Sequence, residues 1–580
     1  MFREHKKTTL MSSEIIRNHP LLTSIIINGV FLTIILCTCD IRYDTNDDFV
    51  MACIVQGAYG RPDPHTVYIN IIMGYVLSGL SSLIPAIPWY PVIMYVCLVV
   101  SNIVIGYLLI GKTKAGLFQL NLFFIYLFVF GSNLLIKPQF TKTAAVLTIS
   151  GIVLMLDSVQ TNRVCKKKCA AGIALISLGF IYRKDMASLC AAVSATYFLY
   201  FITKEKFEKK RLLSIIGVSV LAICICGLTL FIGDYIYKSD SEWATYEKFQ
   251  NDRSKLCDYY WLDYDTYKEV CDANGISKEN LDYYASTNDY ADPDIFTYEV
   301  AASLANAKEN PMSIKDFPLR RFIKEIFPGG MLKYYDWFVI MTFFSIVIAL
   351  TNKRNLKWIL INVVGITVIE AWLSYNLRFL IERVDISIFL TAVVGTFAIA
   401  SEYGVAVNQD PEDKRNRTYS FAISLLTTIC LVFSIYYSVN CILKNCEQSK
   451  SRIQSFGEAQ VICDYIEEDK EHLYIRSVLC DNPWESAYNV WNTSFNDKLE
   501  NSLPLGDWLT YSPLTERIKE NYCITNPFKD IVDNDRVYLM DIAGNPQATI
   551  NYINRNYEMG AGLHLVKEIG KAKIYSIISK

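Results

Sequence analysis

Apolar segments of membrane-spanning length alternate with polar loops along most of the first 440 residues. A helix needs about 20 mainly apolar residues to cross the hydrocarbon core of a bilayer. Runs of roughly this kind occur at 21–39, 90–110, 117–134, 142–158, 169–182, 186–202, 212–232, 336–351, 358–373, 384–402 and 419–440. The pattern therefore predicts a polytopic α-helical membrane protein with about eleven spanning helices.

One further apolar run, 67–84, is harder to place. Its sequence, "VYINIIMGYVLSGLSSLI", contains Asn70, two glycines and three serines, and it leads into "PAIPWYP". If this run spanned the membrane, every later basic loop would change sides. We expect it to dip into the bilayer or to lie at the outer interface instead.

Lysines and arginines gather in the cytoplasmic loops of membrane proteins, and their distribution predicts the orientation here. The N-terminal segment is basic, and so are the loops at 112–114, 163–168, 204–211, 353–357 and 414–417. A cytoplasmic N-terminus places all of them inside if 67–84 does not span. Residues 40–89, the long loop 233–335 and the chain after residue 440 are then extracytoplasmic.

The pattern changes after residue 440. A helical stretch, "SFGEAQVICDYIEEDKE", precedes three strand-like runs, "HLYIRSVL", "RVYLMDI" and "KIYSIIS", which further helical stretches separate. This alternation predicts a small α/β domain of about 140 residues, close to the common domain size. We therefore divide the chain into a transmembrane domain, 1–440, and an extracytoplasmic C-terminal domain, 441–580.

Composition agrees with a membrane protein, since 52% of the residues are hydrophobic, 20% are charged and the mean hydropathy is +0.22. The formal net charge of −2 points to no nucleic-acid partner. The 17 cysteines are scattered without a CxxC pair, so a zinc site is not predicted. Cys257 and Cys271 could form a disulfide if their compartment is oxidising.

Charged residues collect at the predicted external ends of the helices. Asp47 and Asp48 follow the first helix in "DIRYDTNDDFV", where we expect Asp40 and Asp44 to be solvated residues at a helix exit. Ionisable groups near spanning segments are functional candidates because they are costly there, although each could also anchor a helix end. The candidate substrate-binding residues are His65, Lys137, Gln139, Arg183, Asp185, Trp243, Arg253, Asp258, Asp289, Glu370, Arg378 and Arg383.

Two of these assignments have ordinary structural alternatives. His65, in "RPDPHTVYIN", is more simply a hydrogen-bonded loop histidine. The long loop mixes tyrosines with acids and amides, as sugar-binding surfaces do. Its tyrosines could equally pack against neighbouring elements of the protein.

Several segments resemble the GT-C superfamily of polytopic membrane glycosyltransferases, and within it the bacterial branch of O-antigen glucosyltransferase-like membrane proteins. They are "NDDFVMACIVQGAYGRPDPHTVYIN", "QFTKTA", "IYRKDM", "EWATYEKFQNDRSKLCDYY", "NDYADPDIFT" and "RVDISIF". The acidic pair directly after the first helix carries most of the resemblance. Related proteins often have an arginine a few residues after the pair, and "DDFVMA" has none.

The resemblance implies transfer of one sugar from a polyprenyl-phosphate donor to a cell-envelope glycan or lipid, on the outer face of a bacterial cell membrane. It implies that Asp47 or Asp48 acts as general base or helps bind a divalent cation such as Mg²⁺ or Mn²⁺. A carboxylate would take the proton of the acceptor hydroxyl, and we favour Asp47 for this role. Cations such as Arg183, Arg378 and Arg383 would stabilise the departing phosphate.

Three other functions remain open from the sequence. One is a non-enzymatic role with the C-terminal domain as a surface receptor, which leaves the charged residues near the spans unexplained. A polysaccharide polymerase also has many spans and a long external loop, but it would be expected to rely on external arginines more than on a first-loop acidic pair. A transporter or flippase for lipid-linked sugars would be expected to show internal repeats and broken helices near the bilayer midplane. We find no internal repeat in this sequence.

Overall fold

The computed structural model describes residues 18–111, 117–159, 163–203, 209–258, 261–308, 356–375, 381–403, 414–480, 488–492 and 498–580. Within these ranges, nine helices are long and apolar enough to cross a membrane. The protein is therefore a multi-pass membrane protein with a mainly helical fold. The predicted run 336–351 and Arg378 lie outside the described residues.

The membrane part is built from helices whose bounds lie close to the predicted runs. They are α1 (Pro20–Thr38), α2 (Asn46–Gln56), α3 (Ile71–Leu83), α4 (Trp89–Ile110), α5 (Leu117–Tyr126), α6 (Ser132–Ile136), α7 (Phe140–Asp157), α8 (Lys166–Tyr182), α9 (Lys184–Val193), α10 (Ala195–Thr203) and α11 (Lys209–Lys238). A π-helical turn, Leu127–Gly131, joins α5 to α6, so these two form one span. The expected hairpin of 169–182 and 186–202 is present as α8 followed by α9 and α10.

The run 67–84 forms α3, a helix of 13 residues. Asn70 caps its N-terminus by accepting a hydrogen bond from the Ile72 amide at 3.0 Å. Such a helix rises only about 20 Å, which is short of the roughly 30 Å hydrocarbon core. Its start lies beside Ile181 at the end of α8, and the next helix begins near Asp48. Both ends of α3 therefore lie toward the same end of the bundle, and its placement at the membrane interface stays a prediction.

Five elements meet at this end of the bundle, which we call the site end. It contains the exit of α1, the first turn of α2, the start of α4, the start of α7 and the junction between α8 and α9. The Asp44 amide donates to Pro138 O at 3.3 Å, and the Asn70 amide donates to Ile181 O at 2.9 Å. At the opposite end, Asp157 pairs with Lys168 at 2.9 Å.

The remaining helices are α12 (Ser241–Cys257), α13 (Lys268–Ala273), α14 (Lys278–Thr287), α15 (Tyr298–Ala307), α16 (Leu356–Tyr375), α17 (Glu382–Tyr403) and α18 (Lys414–Glu468). Helix α18 has 55 residues and rises about 80 Å, well beyond the thickness of a hydrocarbon core. It runs without a break through the expected domain boundary at 440/441. The transmembrane and C-terminal domains therefore share one continuous helix.

A five-stranded mixed sheet forms the C-terminal domain, in the order β2-β1-β3-β5-β4. Its elements are β1 (Leu473–Arg476), β2 (Ser502–Pro504), α19 (Pro513–Asn521), α20 (Pro527–Asp530), β3 (Val537–Asp541), α21 (Pro546–Tyr557), β4 (Ala561–Ile569) and β5 (Ala572–Ser579). Strand β1 is parallel to β2 and β3, whereas β5 is antiparallel to β3 and β4. The three predicted strand-like runs became β1, β3 and β5.

The described part of the long loop packs against this domain. Asp292 accepts hydrogen bonds from Tyr552, Tyr557 and Asn526 of the C-terminal domain at 2.6 to 2.9 Å. Tyr284 and Tyr552 join their hydroxyls at 2.9 Å, and both are buried. These loop tyrosines therefore pack against the C-terminal domain, as the alternative to a sugar-binding surface predicted.

Candidate active site

Asp48 is held in the protein interior by the ends of three elements. It lies in the first turn of α2 and is fully buried. One carboxyl oxygen, Oδ1, accepts hydrogen bonds from the Tyr90 hydroxyl at 2.8 Å and the Phe140 amide at 3.0 Å. The other, Oδ2, lies 3.2 Å from the Thr45 hydroxyl. Asp48 thus joins the first loop to the starts of α4 and α7.

Burial raises the pKa of Asp48 to about 8, and the hydrogen bond from Tyr90 offsets only part of this effect. The neighbouring charge of Asp47 raises it further. Asp48 therefore carries its proton at neutral pH. In that form its Oδ2 hydroxyl can donate to Thr45, while Oδ1 still accepts its two hydrogen bonds.

Asp47 is half-buried and faces cationic side chains instead. Its carboxylate makes no hydrogen bond and no ion pair with any described residue, so it is open to a ligand. The charges that act on it most strongly are those of Arg383 and Arg183, followed by Asp258 and Arg253. Its pKa still lies above the ordinary value, because burial outweighs the attraction of the arginines.

Arg183 is held on a surface formed by the first turn of α7. Its guanidinium donates to the Thr141 hydroxyl at 2.8 Å and lies 4.9 Å from the centre of the Phe140 ring. Burial and the neighbouring Arg383 lower its pKa. Neither arginine forms an ion pair with a described residue. The charges of Asp185 and Asp47 also act on Arg183, and two guanidinium groups that repel each other at one site favour binding of an anion such as a phosphate.

Helix α12 supplies the other side of the site. Arg253 is buried and pairs with Asp258 at 2.8 Å, and it also donates to Gln250 Oε1 at 2.8 Å. Tyr68 responds to the charges of Asp47 and Arg253, so it belongs to the same cluster, and burial raises its pKa. We call Asp47, Tyr68, Arg183, Arg253, Asp258 and Arg383 the charged cluster.

The expectation that Asp40 and Asp44 are solvated was wrong. Asp44 pairs with Lys142 at 3.2 Å, and the Lys142 side chain is only 1% exposed. Asp40 pairs with Arg42 at 3.0 Å, and Asn445 of α18 bonds to the Asp40 backbone. Both acids are partners of buried cations; Arg42 is close to Asp40 in the sequence, whereas Lys142 is about a hundred residues from Asp44.

His65 and Trp243 pack together away from solvent. His65 bonds through Nδ1 to Asp63 at 2.7 Å, and its ring stacks on Trp243 with centroids 4.2 Å apart. Trp243 is 3% exposed. The structure therefore agrees with the loop-histidine alternative and leaves no open face of Trp243 for a substrate.

Three other candidates border the start of α7 and the start of α9. Gln139 caps α7, since its Oε1 accepts from the amides of Thr141 and Lys142 at 2.6 and 3.2 Å. Its buried Nε2 has no hydrogen-bond partner among the described residues. Lys137 and Asp185 are exposed, and Asp185 acts electrostatically on Arg183. Their roles toward a substrate stay predictions.

Two candidates lie apart from the charged cluster. Asp289 is buried and accepts from the Val478 amide at 2.8 Å, so it joins the long loop to the C-terminal domain. Glu370 is buried in α16, where its Oε1 lacks a hydrogen-bond partner among described residues. In addition, Cys257 and Cys271 are both free thiols, so the disulfide considered above is not formed.

The residues at the site fit a divalent cation poorly. The Asp48 oxygens are occupied by three hydrogen-bonding groups, and Asp47 faces arginines, which repel a cation. No group of three or more His, Cys, Asp or Glu side chains suited to a metal occurs in the described part of the chain. Hard cations need several oxygen ligands. The described residues of the site therefore do not offer the set of ligands that a divalent cation needs.

Sequence reasoning missed the aromatic residues that shape the site. Tyr90 fixes Asp48, while Phe140 and Trp508 flank Tyr68 at 6.0 and 5.0 Å between ring centroids. Trp508 comes from the C-terminal domain, more than 400 residues from Tyr68. The one usable signal was the position of these two aromatic residues at the predicted external side, Tyr90 at the start of the run 90–110 and Phe140 just before the run 142–158.

Comparisons with known proteins give little direct guidance. No family model matches this sequence, and no curated protein matches it. Among solved structures, the chain is similar to the oligosaccharyltransferase of Archaeoglobus fulgidus in its apo form. The two share 10% sequence identity and a TM-score of 0.44, over 96% of this chain and 74% of that one.

A TM-score below 0.5 carries no argument about activity.

Proposed function

We propose that this protein is an integral-membrane glycosyltransferase. It moves a sugar from a polyprenyl-phosphate donor to a glycan or lipid of the cell envelope on the extracytoplasmic face. The observation that carries the proposal is that Asp47, whose carboxylate makes no hydrogen bond or ion pair with a described residue, lies within electrostatic reach of both Arg183 and Arg383. Sugar transfer from a phosphate needs a base and a phosphate-binding group close together.

The proposed reaction assigns a separate task to each side of the cluster. The acceptor hydroxyl loses its proton to the Asp47 carboxylate as its oxygen attacks the anomeric carbon of the donor sugar. The bond from that carbon to the phosphate oxygen breaks, and its electron pair leaves with the polyprenyl phosphate. Arg183 and Arg383 bind the growing negative charge of the phosphate.

Burial raises the pKa of Asp47, and this supports its role as base. A general base is most effective when its pKa lies near the working pH, and such a residue typically contributes a factor of about 10²–10⁴ in rate. Asp48 is unsuited to the same role because it is fully buried, protonated at neutral pH and bonded to Tyr90, Phe140 and Thr45. The Arg253–Asp258 pair lies on the acceptor side in this proposal.

Replacement of Asp47 by Asn tests the proposal. Membranes that contain the protein would be supplied with polyprenyl-phosphate donors carrying radiolabelled glucose, mannose or arabinose, and transfer to envelope material would be counted. We expect Asp47→Asn to lose at least a hundredfold in rate while protein level and melting temperature stay at wild-type values. The matched control is Asp265→Asn, which changes an exposed carboxylate of the long loop. Full activity of Asp47→Asn would rule out the mechanism.

The orientation is tested with two native cysteines. Cys523 is exposed in the C-terminal domain, and Cys165 lies at the start of α8, at the end of the bundle opposite the site. A membrane-impermeant maleimide added to intact cells should label Cys523 and spare Cys165 until the membrane is permeabilised. Labelling of Cys165 in intact cells would place the site in the cytoplasm.

A further inference from the structure

A cavity of about 390 Å³ lies between the first loop and the C-terminal domain, apart from the charged cluster. One wall is the turn after α2, with Tyr59, Gly60 and Arg61. The other wall is α19, with Arg517 and Asn521, which lie one turn apart on the same face of that helix. The volume falls in the range of about 300–1,000 Å³ that is usual for small-molecule sites.

The charge of this cavity is unbalanced. Arg61 and Arg517 both line it, and neither guanidinium makes a hydrogen bond or an ion pair with the described residues. The acid of the lining, Glu500, is already paired with Lys470 at 3.2 Å. Arg517 also acts electrostatically on Asp63, a carboxylate that is hydrogen-bonded to His65 and does not line the cavity. The lining itself carries two arginines and one paired carboxylate, so it is cationic, which is the charge that an anionic ligand requires.

The first loop is shaped to form this wall. Gly60 has φ +111°, a left-handed conformation that favours glycine, and a Cβ at this position would lie 2.9 Å from Glu500 Oε1. The turn therefore approaches the C-terminal domain closely. A hydrogen bond from the Leu499 amide to Ala58 O, at 2.9 Å, fixes the two walls relative to each other.

We propose that this cavity binds an acidic sugar unit of a glycan acceptor, with Arg61 and Arg517 on its anionic group and Asn521 on its hydroxyls. The link to the acceptor rests on the proposed function. Helix α2 separates the cavity from Asp47 by about 14 Å of helix rise between residues 47 and 56. A growing polysaccharide can span this separation with several sugar units, whereas a single small acceptor cannot. The acceptor class that fits both sites is therefore an acidic oligosaccharide or polysaccharide chain.

Equilibrium binding to the purified full-length protein tests this proposal. The probes are tetragalacturonate, which carries carboxylates, glucose 6-phosphate, which carries a phosphate, and neutral maltotetraose. We expect an anionic probe to bind in a salt-sensitive manner and maltotetraose to bind at least tenfold more weakly. The ratio between the two anionic probes distinguishes a uronate from a sugar phosphate as the natural group.

Variants of the two arginines complete the test. Arg517→Gln and Arg61→Gln should each weaken binding of the anionic probe at least tenfold. The matched control is Arg536→Gln, an exposed arginine of the same domain that does not line the cavity. The proposal would be overturned if both variants bound the anionic probe as tightly as the wild type does. It would also be overturned if Arg536→Gln lost as much affinity as they do, or if the wild type bound the neutral probe as tightly as the anionic one.

The binding measurement needs no turnover, so the two proposals can fail separately. A protein that binds the acidic probe but transfers no sugar would refute the proposed function and leave the cavity as an anion site. A protein that transfers sugar but binds no acidic probe would refute the cavity proposal alone.

Discussion

Replacement of Asp48 by Asn should make the folded protein more resistant to alkaline pH without abolishing activity. In the fold, Asp48 keeps its proton up to a pKa of about 8, whereas the ordinary value is 3.8. Between these two values the folded protein holds a proton that the unfolded chain has lost. The contribution of Asp48 to stability therefore falls as pH rises from about 4 to about 8 and is constant above that.

The magnitude follows from the difference in pKa. One pKa unit corresponds to about 1.4 kcal/mol. Between about pH 5 and about pH 8, Asp48 therefore lowers the free energy of unfolding of the wild type by at most about 4 kcal/mol. An asparagine has no proton to lose. Its Oδ1 can accept from Tyr90 and Phe140, and its Nδ2 can donate to Thr45, as the protonated acid does. The variant should therefore lack this pH dependence.

Thermal unfolding of the detergent-purified protein across this pH range measures the effect. We expect the melting temperature of Asp48→Asn to exceed that of the wild type by a margin that widens with pH. An Asp48→Ala control leaves the buried donors of Tyr90 and Phe140 without an acceptor, so it should lose about 1–3 kcal/mol per donor at every pH. Parallel pH profiles for wild type and Asp48→Asn would show that Asp48 is ionised throughout and would refute the reasoning.

Two further predictions concern stability. Asp44→Asn removes the carboxylate partner of the buried Lys142 ammonium, which also donates to Asn133 Oδ1 at 2.9 Å, and should destabilise the protein by about 3–5 kcal/mol. Adding Lys142→Met to it should recover most of the lost melting temperature. Gly506→Ala should lower the melting temperature and expose the long loop to limited proteolysis, because a Cβ there would lie 1.7 Å from Asn288 O. Gly457→Ala, on an open face of α18, is its control and should be neutral or slightly stabilising; equal losses in both would contradict the steric argument.

The apolar runs located the nine helices of the described residues that are long and apolar enough to span, because a span must be both long and apolar. They were insufficient in two places. The apolar stripe of α18 ends near residue 440, but the helix continues into a polar stretch, and no Gly or Pro marks a boundary between residues 414 and 456. Strand β4 was missed because it is an edge strand whose middle residues, including His564 and Leu565, are mostly exposed. Exposed edges carry little hydrophobic signal.

The sequence predicted which types of residue the candidate site contains, but it did not predict which individual residues lie together there. The charge distribution gathered acids and arginines on one side of the membrane, and five of the predicted residues, Asp47, Arg183, Arg253, Asp258 and Arg383, now form one cluster. Local sequence could not distinguish them from Asp289 or Trp243, whose neighbours lie in distant segments. Which charged residue finds a partner is decided by tertiary packing.

The separate roles of Asp47 and Asp48 follow from the start of α2 at Asn46. Adjacent residues on an α-helix point about 100° apart, and side chains at i and i+1 do not face each other. One carboxyl of the pair therefore enters the interior, toward Tyr90, when the other faces the charged cluster. In the proposed function, the buried member of this pair is the structural acid and the other member is the base. The cations that act on Asp47 come from the α8–α9 junction, α12 and α17, all distant in sequence from the acidic pair.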